Sequence, residues 1–416
     1  MKAADSTLAS LNGLNFAIAA MQAGFGPFIS VRLTAHGWNP GTIGLVLSAG
    51  TIAALVAQVP SGIIIDQFGV RRGMATLAIL ASMAALLMFS LAPGLWLVLG
   101  AELVQGGAGV GLTLAVAAIT LSVSRQERLG ERLGHNVRYA AVGAAVGTAA
   151  LGVVGSLLSA TAAFLLAALA GVPALLALRG IRDTDIATAA QRTAHHTAPP
   201  PRARRSPPAP PQALLRDRPL LALLGCVGLF QLANASLLPL AATAFTREAG
   251  THASLVTAAA VMGPQLLSAL LSPRVGRAAQ LHGRRLVLML GLLAVPLRAV
   301  AFACDGTIPL MLAVQALDGI SAAVIGVLVP LVVADITHRG GRFNFALGLS
   351  GLVASLGAAL STTASGWIAV HAGLPAAFLA LGAAGLASIL VVWALLPETA
   401  HLPASLRVET NGTTSP

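Results

Sequence analysis

The sequence is poor in charged residues, aromatic residues and cysteine. Only 9% of its 416 residues are charged and 4% are aromatic. A soluble domain carries roughly a quarter charged residues, so this shortage excludes a soluble globular class. Alternating strands with aromatic girdles, the pattern of a membrane β-barrel, are also missing. The two cysteines, Cys226 and Cys304, fall near opposite ends of predicted helices and are expected to be buried, unbridged thiols.

The motifs of enzymes and primary pumps are missing as well. There is no Walker loop, which argues against ATP as the energy source. No serine–histidine pair or metal-ligand cluster falls within a predicted span, and the pair His195–His196 lies in a proline-rich linker. We therefore expect no enzyme activity, no cofactor and no metal site.

Hydrophobic residues are what the sequence has in excess. It is 56% hydrophobic, with 44 glycines and a mean hydropathy of +0.84, and apolar blocks of membrane-spanning length recur along it. We predict an all-α polytopic membrane protein with twelve transmembrane helices, at approximately residues 8–34, 40–65, 73–92, 94–122, 136–158, 161–179, 219–246, 252–272, 285–303, 307–336, 344–370 and 374–396.

The basic residues are distributed unevenly along the chain. The net charge of +11 taken alone would suggest a nucleic-acid partner, but of the 25 Lys and Arg residues only Arg32 and Arg247 fall in loops on the side opposite the termini. This distribution follows the positive-inside rule, so it places both termini in the cytoplasm and argues against nucleic acid. Lys2 is the only lysine, a bias typical of a GC-rich bacterium, so we expect a bacterial inner (cytoplasmic) membrane.

A break in the hydrophobic pattern divides the chain into two halves. The segment "TAPPPRARRSPPAPP" is rich in proline and arginine and poor in apolar residues, so it cannot pack a core. We predict a first six-helix bundle at 1–180, a cytoplasmic linker at 181–218 whose arginines contact anionic membrane lipid, a second six-helix bundle at 219–398 and a cytoplasmic tail at 399–416.

The two halves share motifs at a similar offset, which indicates a tandem duplication. In the first half the pattern G-x3-D-x2-G-x-R is formed by Gly62, Asp66, Gly69 and Arg71, followed by Arg72. The second half repeats the pattern with a neutral residue in place of the acid, at Gly276, Gln280, Gly283 and Arg285. Further pairs at a similar offset are Gln22 with Asn234, Gln105 with Asp318, Gly106 with Gly319, and Asn136 with Asn344.

Together these motifs resemble those of the major facilitator superfamily of secondary transporters over nearly the whole chain. The stretch Gly62–Arg72 is similar to the superfamily's signature loop between helices 2 and 3. The stretch "ELVQGGAG" is similar to the helix-4 motif R-x-x-Q-G-x-G, with Glu102 where arginine is usual, and "LPET" resembles the usual end of the last helix. The glycine spacing of the helix-5 antiporter motif is reproduced, with Thr148 in place of proline, by Gly134, Gly143 and Gly147.

The resemblance implies two six-helix bundles around a central cavity that opens alternately to each side of the membrane. It implies that helices 1, 4, 7 and 10 line the cavity, and that a small-molecule substrate and protons are the partners. It further implies that Asp66 docks against the start of helix 11, where free backbone amides favour an anion, and so closes the cytoplasmic side. A monomer suffices for this architecture.

Ionisable residues inside predicted spans are candidates for coupling, because placing a charge in hydrocarbon costs at least a few kcal/mol. Glu102 lies about eight residues into helix 4, roughly 12 Å deep. A carboxyl group there can bind and release a proton as the cavity alternates, or it can be paired for packing. Asp318, in the middle of helix 10, is a second proton site, a site for a cationic substrate group, or the structural partner of Arg298 on helix 9.

Amide side chains on the predicted cavity helices are candidates for substrate binding. They lie at spacings that bring each pair near one helical face, at Asn15 and Gln22 on helix 1 and at Gln231 and Asn234 on helix 7, with Gln105 on helix 4. Amides at these positions can hydrogen-bond a substrate, or they can equally hydrogen-bond one helix to another.

These observations predict a proton-coupled exporter (antiporter) of small amphipathic organic compounds or drugs. Two alternatives stay open. One is proton-coupled uptake of a siderophore, an organic acid or another metabolite, because Thr148 departs from the antiporter motif. The other is a non-transport sensor or lipid-handling protein built on the same fold.

Overall fold

A computed structural model provides the structure of the chain. It describes residues 2–25, 28–29, 32–33, 36–38, 40–91, 94–124, 126–181, 216–241, 253–304, 307–337 and 342–400. Nearly all of the predicted linker, most of the predicted tail, Arg247 and the pair His195–His196 lie outside the described residues.

Within the described ranges the regular structure is entirely helical. Residues Gln126–Arg128 form a short 3-10 turn, and we label the helices in chain order, writing a helix with one internal break as a single element. They are α1 Lys2–Gln22, α2 Pro40–Phe68, α3 Arg71–Ser90, α4 Leu95–Val123, α5 Leu129–Leu157, α6 Ala160–Leu169 with Gly171–Arg179, α7 Arg218–Asn234, α8 Ala253–Leu281, α9 Arg284–Leu292 with Ala294–Cys304, α10 Ile308–Ala316 with Asp318–Thr337, α11 343–372 and α12 374–395.

The junctions between helices follow from local backbone chemistry. The chain turns between α2 and α3 at Gly69, between α8 and α9 at Gly283 and between α11 and α12 at Gly373, with φ of 64°, 93° and 86°. This left-handed region favours glycine because a Cβ atom would clash with the backbone there. The glycines therefore allow long apolar helices to follow one another through very short connections.

The described helices have the length and composition of membrane spans. Nine continuous helical stretches among the described residues carry windows of mean hydropathy between 1.8 and 2.3, and the longest, Phe343–Leu395, comprises α11 and α12 with a bend at Gly373. Large apolar side chains stay exposed on their outer faces, such as Trp96 at 81% and Val370 at 82%. The chain is an integral, multi-pass membrane protein, and the predicted count of twelve spans fits the fold.

The packed interior consists of two hydrophobic clusters, each built mainly from one half of the chain. One contains buried residues between Leu11 and Ile181, and the other contains buried residues between Leu220 and Leu396. Leu129 and Leu133 at the start of α5 belong to the second cluster, so α5 packs against the other half at that end. The domain boundaries proposed from the sequence stay predictions.

The two halves meet through close helix pairs whose contacts are repeated. Gly62 of α2 packs on the backbone carbonyl of Asn344 in α11, and Gly276 of α8 packs on the backbone carbonyl of Gly130 in α5. Gly62 and Gly276 lie 214 positions apart, as do Gly130 and Asn344. The two helix pairs are therefore duplicate contacts at one end of the molecule, which we call the α2–α3 end.

This duplication corrects one predicted pair. Asn136 was paired with Asn344 by residue type, but the contacts give Gly130 as the counterpart of Asn344. The prediction was wrong because backbone approach at small residues, and not the side-chain amide, sets the register of these helices. The pair Gly106 and Gly319 keeps equivalent contacts, on the carbonyls of Gly50 and Pro264.

The cysteines also depart in part from expectation. Both thiols are free and Cys226 is buried, but Cys304 is exposed, so the prediction of burial was wrong for Cys304. The reason is its position as the last residue of α9, where the helix leaves the packed interior.

Candidate functional site

A cavity of about 1030 Å³ lies between the two halves of the chain. Its wall is formed by α1, α2, α4 and α5 of the first half and by α7, α10 and α11 of the second. A second cavity of about 420 Å³ shares four lining residues with it, Ala19, Gln22, Val137 and Ala140, and continues between α5 and α8. We call the larger one the central cavity. It is large enough for a drug-sized ligand, because ligand pockets range over roughly 300–1,000 Å³.

Three amide side chains of the first half that were predicted as candidates line the central cavity. Gln105 of α4 donates from Nε2 to Oε1 of Gln22 on α1 over 2.5 Å, and Oε1 of Gln105 is buried without a hydrogen-bond partner among the described residues. Asn15 lies nearer the start of α1 and donates from Nδ2 to the carbonyl of Leu11 over 2.8 Å. Gln22 and Gln105 therefore join α1 to α4 at the cavity wall, while the amide of Asn15 bonds within α1.

Glu102 is the one ionisable side chain among the described residues that line the central cavity. It is 8% exposed, and its Oε1 atom is buried with no hydrogen-bond partner among the residues that the structure describes. The carboxyl group lies directly against Gly50 of α2, where a Cβ atom would collide with it. A buried carboxyl oxygen without a hydrogen-bond partner carries a desolvation cost, so this position is a candidate for a functional role.

The charged residues of the second half form a separate buried cluster. Arg298 of α9 is 1% exposed and donates from Nη1 to Oδ1 of Asp318 over 2.6 Å. It also donates to Oδ1 of Asn234 over 2.6 Å and to Oε1 of Gln315 over 2.7 Å. Arg298 therefore joins α9 to α7 and α10, while neither Asp318 nor Asn234 lines the central cavity. Gln231, one turn earlier on α7, does line it.

The two halves use equivalent positions differently. Gln22 and Asn234 lie 212 positions apart, and Gln105 and Asp318 lie 213 positions apart. In the first half the two side chains bond directly, whereas in the second half Arg298 lies between them and bonds to both. The first-half pair stays on the cavity wall, and the second-half pair is occupied by the arginine.

At the α2–α3 end Asp66 bonds the first half to the second. Its carboxylate accepts from the backbone N–H of Phe345 over 2.8 Å, from the backbone N–H of Asn344 over 3.2 Å and from Nδ2 of Asn344 over 2.7 Å. The free N–H groups at the start of a helix favour such an anion. Arg71 donates to Oγ of Ser122 on α4 over 2.6 Å and so fixes the start of α3. Arg72, the next residue, has an interaction of its own.

The second copy of this motif makes a weaker contact between the halves. Gln280 donates from Nε2 to the carbonyl of Glu127 over 2.6 Å, a single neutral hydrogen bond. Arg277 of the same helix pairs with Glu131 over 3.3 Å at an exposed position. At the start of α9 the carboxylate of Glu398, from "LPET", accepts from the backbone N–H of Arg285, whose guanidinium donates to the carbonyl of Trp393.

The three glycines of the predicted antiporter motif are packing positions. Gly134 lies against the backbone of Ser272 in α8, while Gly143 and Gly147 lie against the backbone of α1 at Phe16 and Ala20. The first two of these glycines recur at the same spacing in α11, where Gly348 lies on the carbonyl of Gln58 and Gly357 on that of Gly228, and Ser361 stands at the third position. Thr148, which replaces the proline of the motif, lines the smaller cavity.

Several polar lining residues were missed at the sequence level. They are Thr51, Gln58, Thr113, Asn136 and Ser350. Asn136 donates to Thr120 and accepts from the buried Arg132, which also donates to Asn12, with all three bonds at 2.7 Å. Isolated polar residues at turn-related positions of otherwise apolar helices, such as Thr51 and Gln58 seven apart, were the signal that could have found them. No group that could hold a metal ion occurs among the described residues.

Comparison with known structures shows the same architecture. A proton:xylose symporter of the major facilitator superfamily, XylE, bound to 6-bromo-6-deoxy-D-glucose, superposes with a TM-score of 0.70 at 14% identity, covering 95% of this chain and 96% of that chain. The human organic anion transporter MFSD10 (TETRAN) superposes with a TM-score of 0.69 at 16% identity, covering 94% and 98%. At these identities the likeness concerns the fold.

Comparison of sequences identifies the family. Two uncharacterized MFS-type transporters of Mycobacterium tuberculosis, MT2531 of strain CDC 1551 / Oshkosh and Rv2456c of strain H37Rv, are each 30% identical over 400 residues, covering 96% of this chain and 95% of theirs. The family model of the Major Facilitator Superfamily matches residues 11–263 and 223–414. The chain therefore belongs to the major facilitator superfamily of membrane transporters.

Proposed function

We propose that the protein is a proton-coupled secondary transporter that works by alternating access and exports small amphipathic organic compounds. The observation that carries the proposal is Glu102, an acid that has no cationic partner among the described residues and lies on the wall of a cavity formed by both halves. A carboxyl group that exchanges between a dry and a wet environment changes its proton affinity, and this change couples proton movement to the conformational cycle.

The contacts at the α2–α3 end support alternating access. Asp66 bonds to the start of α11, and Gln280 bonds to the turn before α5, so both contacts hold the halves together on one side of the cavity. We propose that this side is the cytoplasmic side, as the distribution of basic residues predicts. The structure then corresponds to a state closed to the cytoplasm, and breaking these contacts opens the cavity there. One chain supplies both halves, so the transporting unit is a monomer in a bacterial inner membrane.

The α5 glycines do not support export over uptake. Gly134 and Gly143 have the packing copies Gly348 and Gly357 in α11, so close packing accounts for them in both halves.

The cavity chemistry bears on the alternative of organic-acid uptake. No Arg, Lys or His occurs among the described lining residues, so a carboxylate substrate would lack an ionic partner there. Amphipathic compounds without negative charge fit this wall better.

Transport in proteoliposomes tests the proposal. With an acidic lumen, the outward flow of protons should drive accumulation of a fluorescent amphipathic cation such as ethidium in vesicles that contain the wild-type protein. Glu102→Gln should let the dye equilibrate without accumulating it. Full gradient-driven accumulation by Glu102→Gln would show that the coupling site is elsewhere.

Direction and class need a second readout. In whole cells an exporter lowers the cellular content of the dye, and an uptake system raises it. Dye binding with no transport under either a pH gradient or a substrate gradient would favour a sensor or lipid-handling role instead.

A further inference from the structure

An apolar groove lies on the outer surface of the first half, between the end of α1, the end of α5 and the start of α6. We infer that this groove binds one phospholipid, with an acyl chain in the groove and the phosphate beside Arg32. The groove has a volume of about 300 Å³ and shares no lining residue with the central cavity or with the smaller cavity next to it. The inference therefore concerns a lipid site that is separate from the transport pathway.

The groove forms where α1 and α5 separate. Closer to the middle of the pair the two helices are in contact, with Gly147 of α5 against the backbone of Ala20 in α1. The regular turns of α1 end at Gln22, and five residues after Gly147 nothing lies within 4 Å of Gly152. The space that a side chain of α1 would fill is therefore left open at this end of the pair.

The wall of the groove is apolar. Ser156 is the one polar side chain among the described lining residues, and its hydroxyl donates to the carbonyl of Val153 over 3.0 Å. The rings of Phe28 and Phe164 form part of the wall, and the small residues of the wall are Gly24, Gly152, Gly155, Ala160 and Ala163. An apolar space of this kind stays dry, because water would find too few hydrogen-bond partners there. Hydrocarbon is the occupant that suits it.

The groove opens toward the lipid-facing surface. Gly152 is exposed at the mouth, whereas Phe164 at the base is 2% exposed. Leu157 and Leu158 beside the mouth are 77% and 74% exposed, and in a membrane protein such side chains are covered by lipid tails. Leu157 is the last residue of α5, so the groove lies within about two turns of the end of a membrane span. A lipid can therefore enter it with its head group at the membrane surface.

A buried cation lies beside the groove. Arg32 is 5% exposed, and its guanidinium carbon lies 5.6 Å from the centre of the Phe164 ring. It donates to Oγ1 of Thr161 over 3.0 Å and to the carbonyls of Ser90 and Leu91 over 3.1 and 2.9 Å. These acceptors are all neutral, none of the ion pairs among the described residues includes Arg32, and its Nε atom is buried without a partner there.

The position of Arg32 favours an anionic head group. A buried charge without a counter-ion is costly, and a phosphate lowers this cost because it is attracted to a guanidinium even across several ångströms near a protein surface. The acyl chain alone gains little, because the bilayer is as apolar as the groove. A phospholipid combines the chain that fits the groove with the phosphate that compensates Arg32, and the phosphate provides most of the preference.

Binding of single lipids to the purified full chain tests the inference. Native mass spectrometry measures the affinity for the first bound lipid, with dioleoylphosphatidylglycerol and dioleoylglycerol as probes that share both chains and differ in the phosphate head group. We expect the phosphatidylglycerol to bind about tenfold tighter. Arg32→Gln should bring its affinity down to that of dioleoylglycerol, and Arg32→Lys, which keeps the charge, should preserve most of the preference.

The groove itself is tested by filling it. Gly152→Phe places a ring in the open space and should weaken phosphatidylglycerol binding by about tenfold, through loss of the contacts of the chain. Gly44→Phe is the matched control, because Gly44 of α2 is exposed at the same end of the molecule, has nothing within 4 Å and lines none of these cavities. It should bind lipid as the wild type does. Melting temperatures report on folding, and Gly152→Leu repeats the test with a smaller side chain.

Three results would overturn the inference. They are equal affinity of the wild type for the two probes, wild-type affinity for phosphatidylglycerol in the folded variants of Gly152, and a dimer in the wild-type spectrum that Gly152→Phe removes, which would assign this face to a second copy of the chain. None of these results bears on Glu102, so the proposed function can stand when the inference fails.

Discussion

The first and second halves of the chain have each kept the same packing positions but use their polar residues in opposite ways. In the first half, Glu102 and the bonded pair Gln22 and Gln105 lie on the cavity wall. In the second half, the equivalent of that pair is joined by Arg298, and its acid Asp318 forms an ion pair away from the cavity. The difference teaches that a duplicated scaffold can place equivalent polar residues on a cavity wall in one half and in a buried charge network in the other.

The contacts at the α2–α3 end show the same inequality. Asp66 accepts three hydrogen bonds at the start of α11, whereas its counterpart Gln280 donates one to a carbonyl before α5. Hydrogen bonds to a charged group contribute about 1.5–3 kcal/mol each, and neutral ones about 1 kcal/mol. The hydrogen bonds of Asp66 therefore contribute more than the hydrogen bond of Gln280 to the stability of this end of the molecule.

The largest effect is expected from breaking the second-half ion pair. Arg298→Met leaves Asp318 without its cation, and we expect a loss of about 3 kcal/mol in stability, near the low end for buried pairs, because 24% of the Asp318 side chain is exposed. Thermal unfolding in detergent measures this loss as a lower melting temperature.

The control for this variant removes both charges. Arg298→Met combined with Asp318→Leu should recover most of the wild-type melting temperature, because no uncompensated charge remains. If the double variant also abolished gradient-driven transport while folding normally, Asp318 would have a coupling role and the contrast between the halves would be lost.

A smaller effect, equal in both halves, is expected at the packing glycines. A Cβ atom at Gly143 would collide with the backbone of Phe16, and one at Gly357 with the backbone of Gly228. Gly143→Ala and Gly357→Ala should each cost about 2 kcal/mol through overpacking. Gly152→Ala is the matched control on α5, because nothing lies within 4 Å of that position, and it should be neutral.

The proton-to-substrate ratio of these variants sharpens the comparison. If the α5 glycines serve packing alone, both alanine variants should retain the wild-type ratio in proteoliposomes at reduced activity. A change of the ratio in Gly143→Ala with none in Gly357→Ala would instead assign the α5 glycines a specific part in antiport.

Much of the fold could be predicted because hydrophobicity in a bilayer is a strong, one-dimensional signal. The helices and the duplicated motif around Asp66 follow from apolar length and from spacing, since every backbone polar group in lipid must be satisfied within a helix. The register of α5 against α11 was less accessible. Gly130 and Asn344 are equivalent positions of the two repeats, because each is the point where a glycine of a neighbouring helix packs on the backbone. A match of asparagine to asparagine in the sequence cannot reveal this equivalence.

The candidate site could be predicted only in part. Glu102 stood out because an acid inside a span is rare, and its place on the cavity wall depends on the rotation of α4, which an apolar helix does not encode strongly. For the same reason Gln58 and Thr113 were missed and Asn234 was included. Asn234 lies off the wall because Arg298 holds its amide oxygen, a contact between helices far apart in sequence.

Proton release on ligand binding tests the central claim, that the acid of the first half carries coupling and the acid of the second half is structural. Hexylguanidinium, an amphipathic cation, is added to purified protein in weakly buffered detergent solution, and a pH indicator records released protons. Release is predicted for the wild type and for Arg298→Met with Asp318→Leu, and no release for Glu102→Gln. Undiminished release from Glu102→Gln, or loss of release only in the variant without Asp318, would contradict the account.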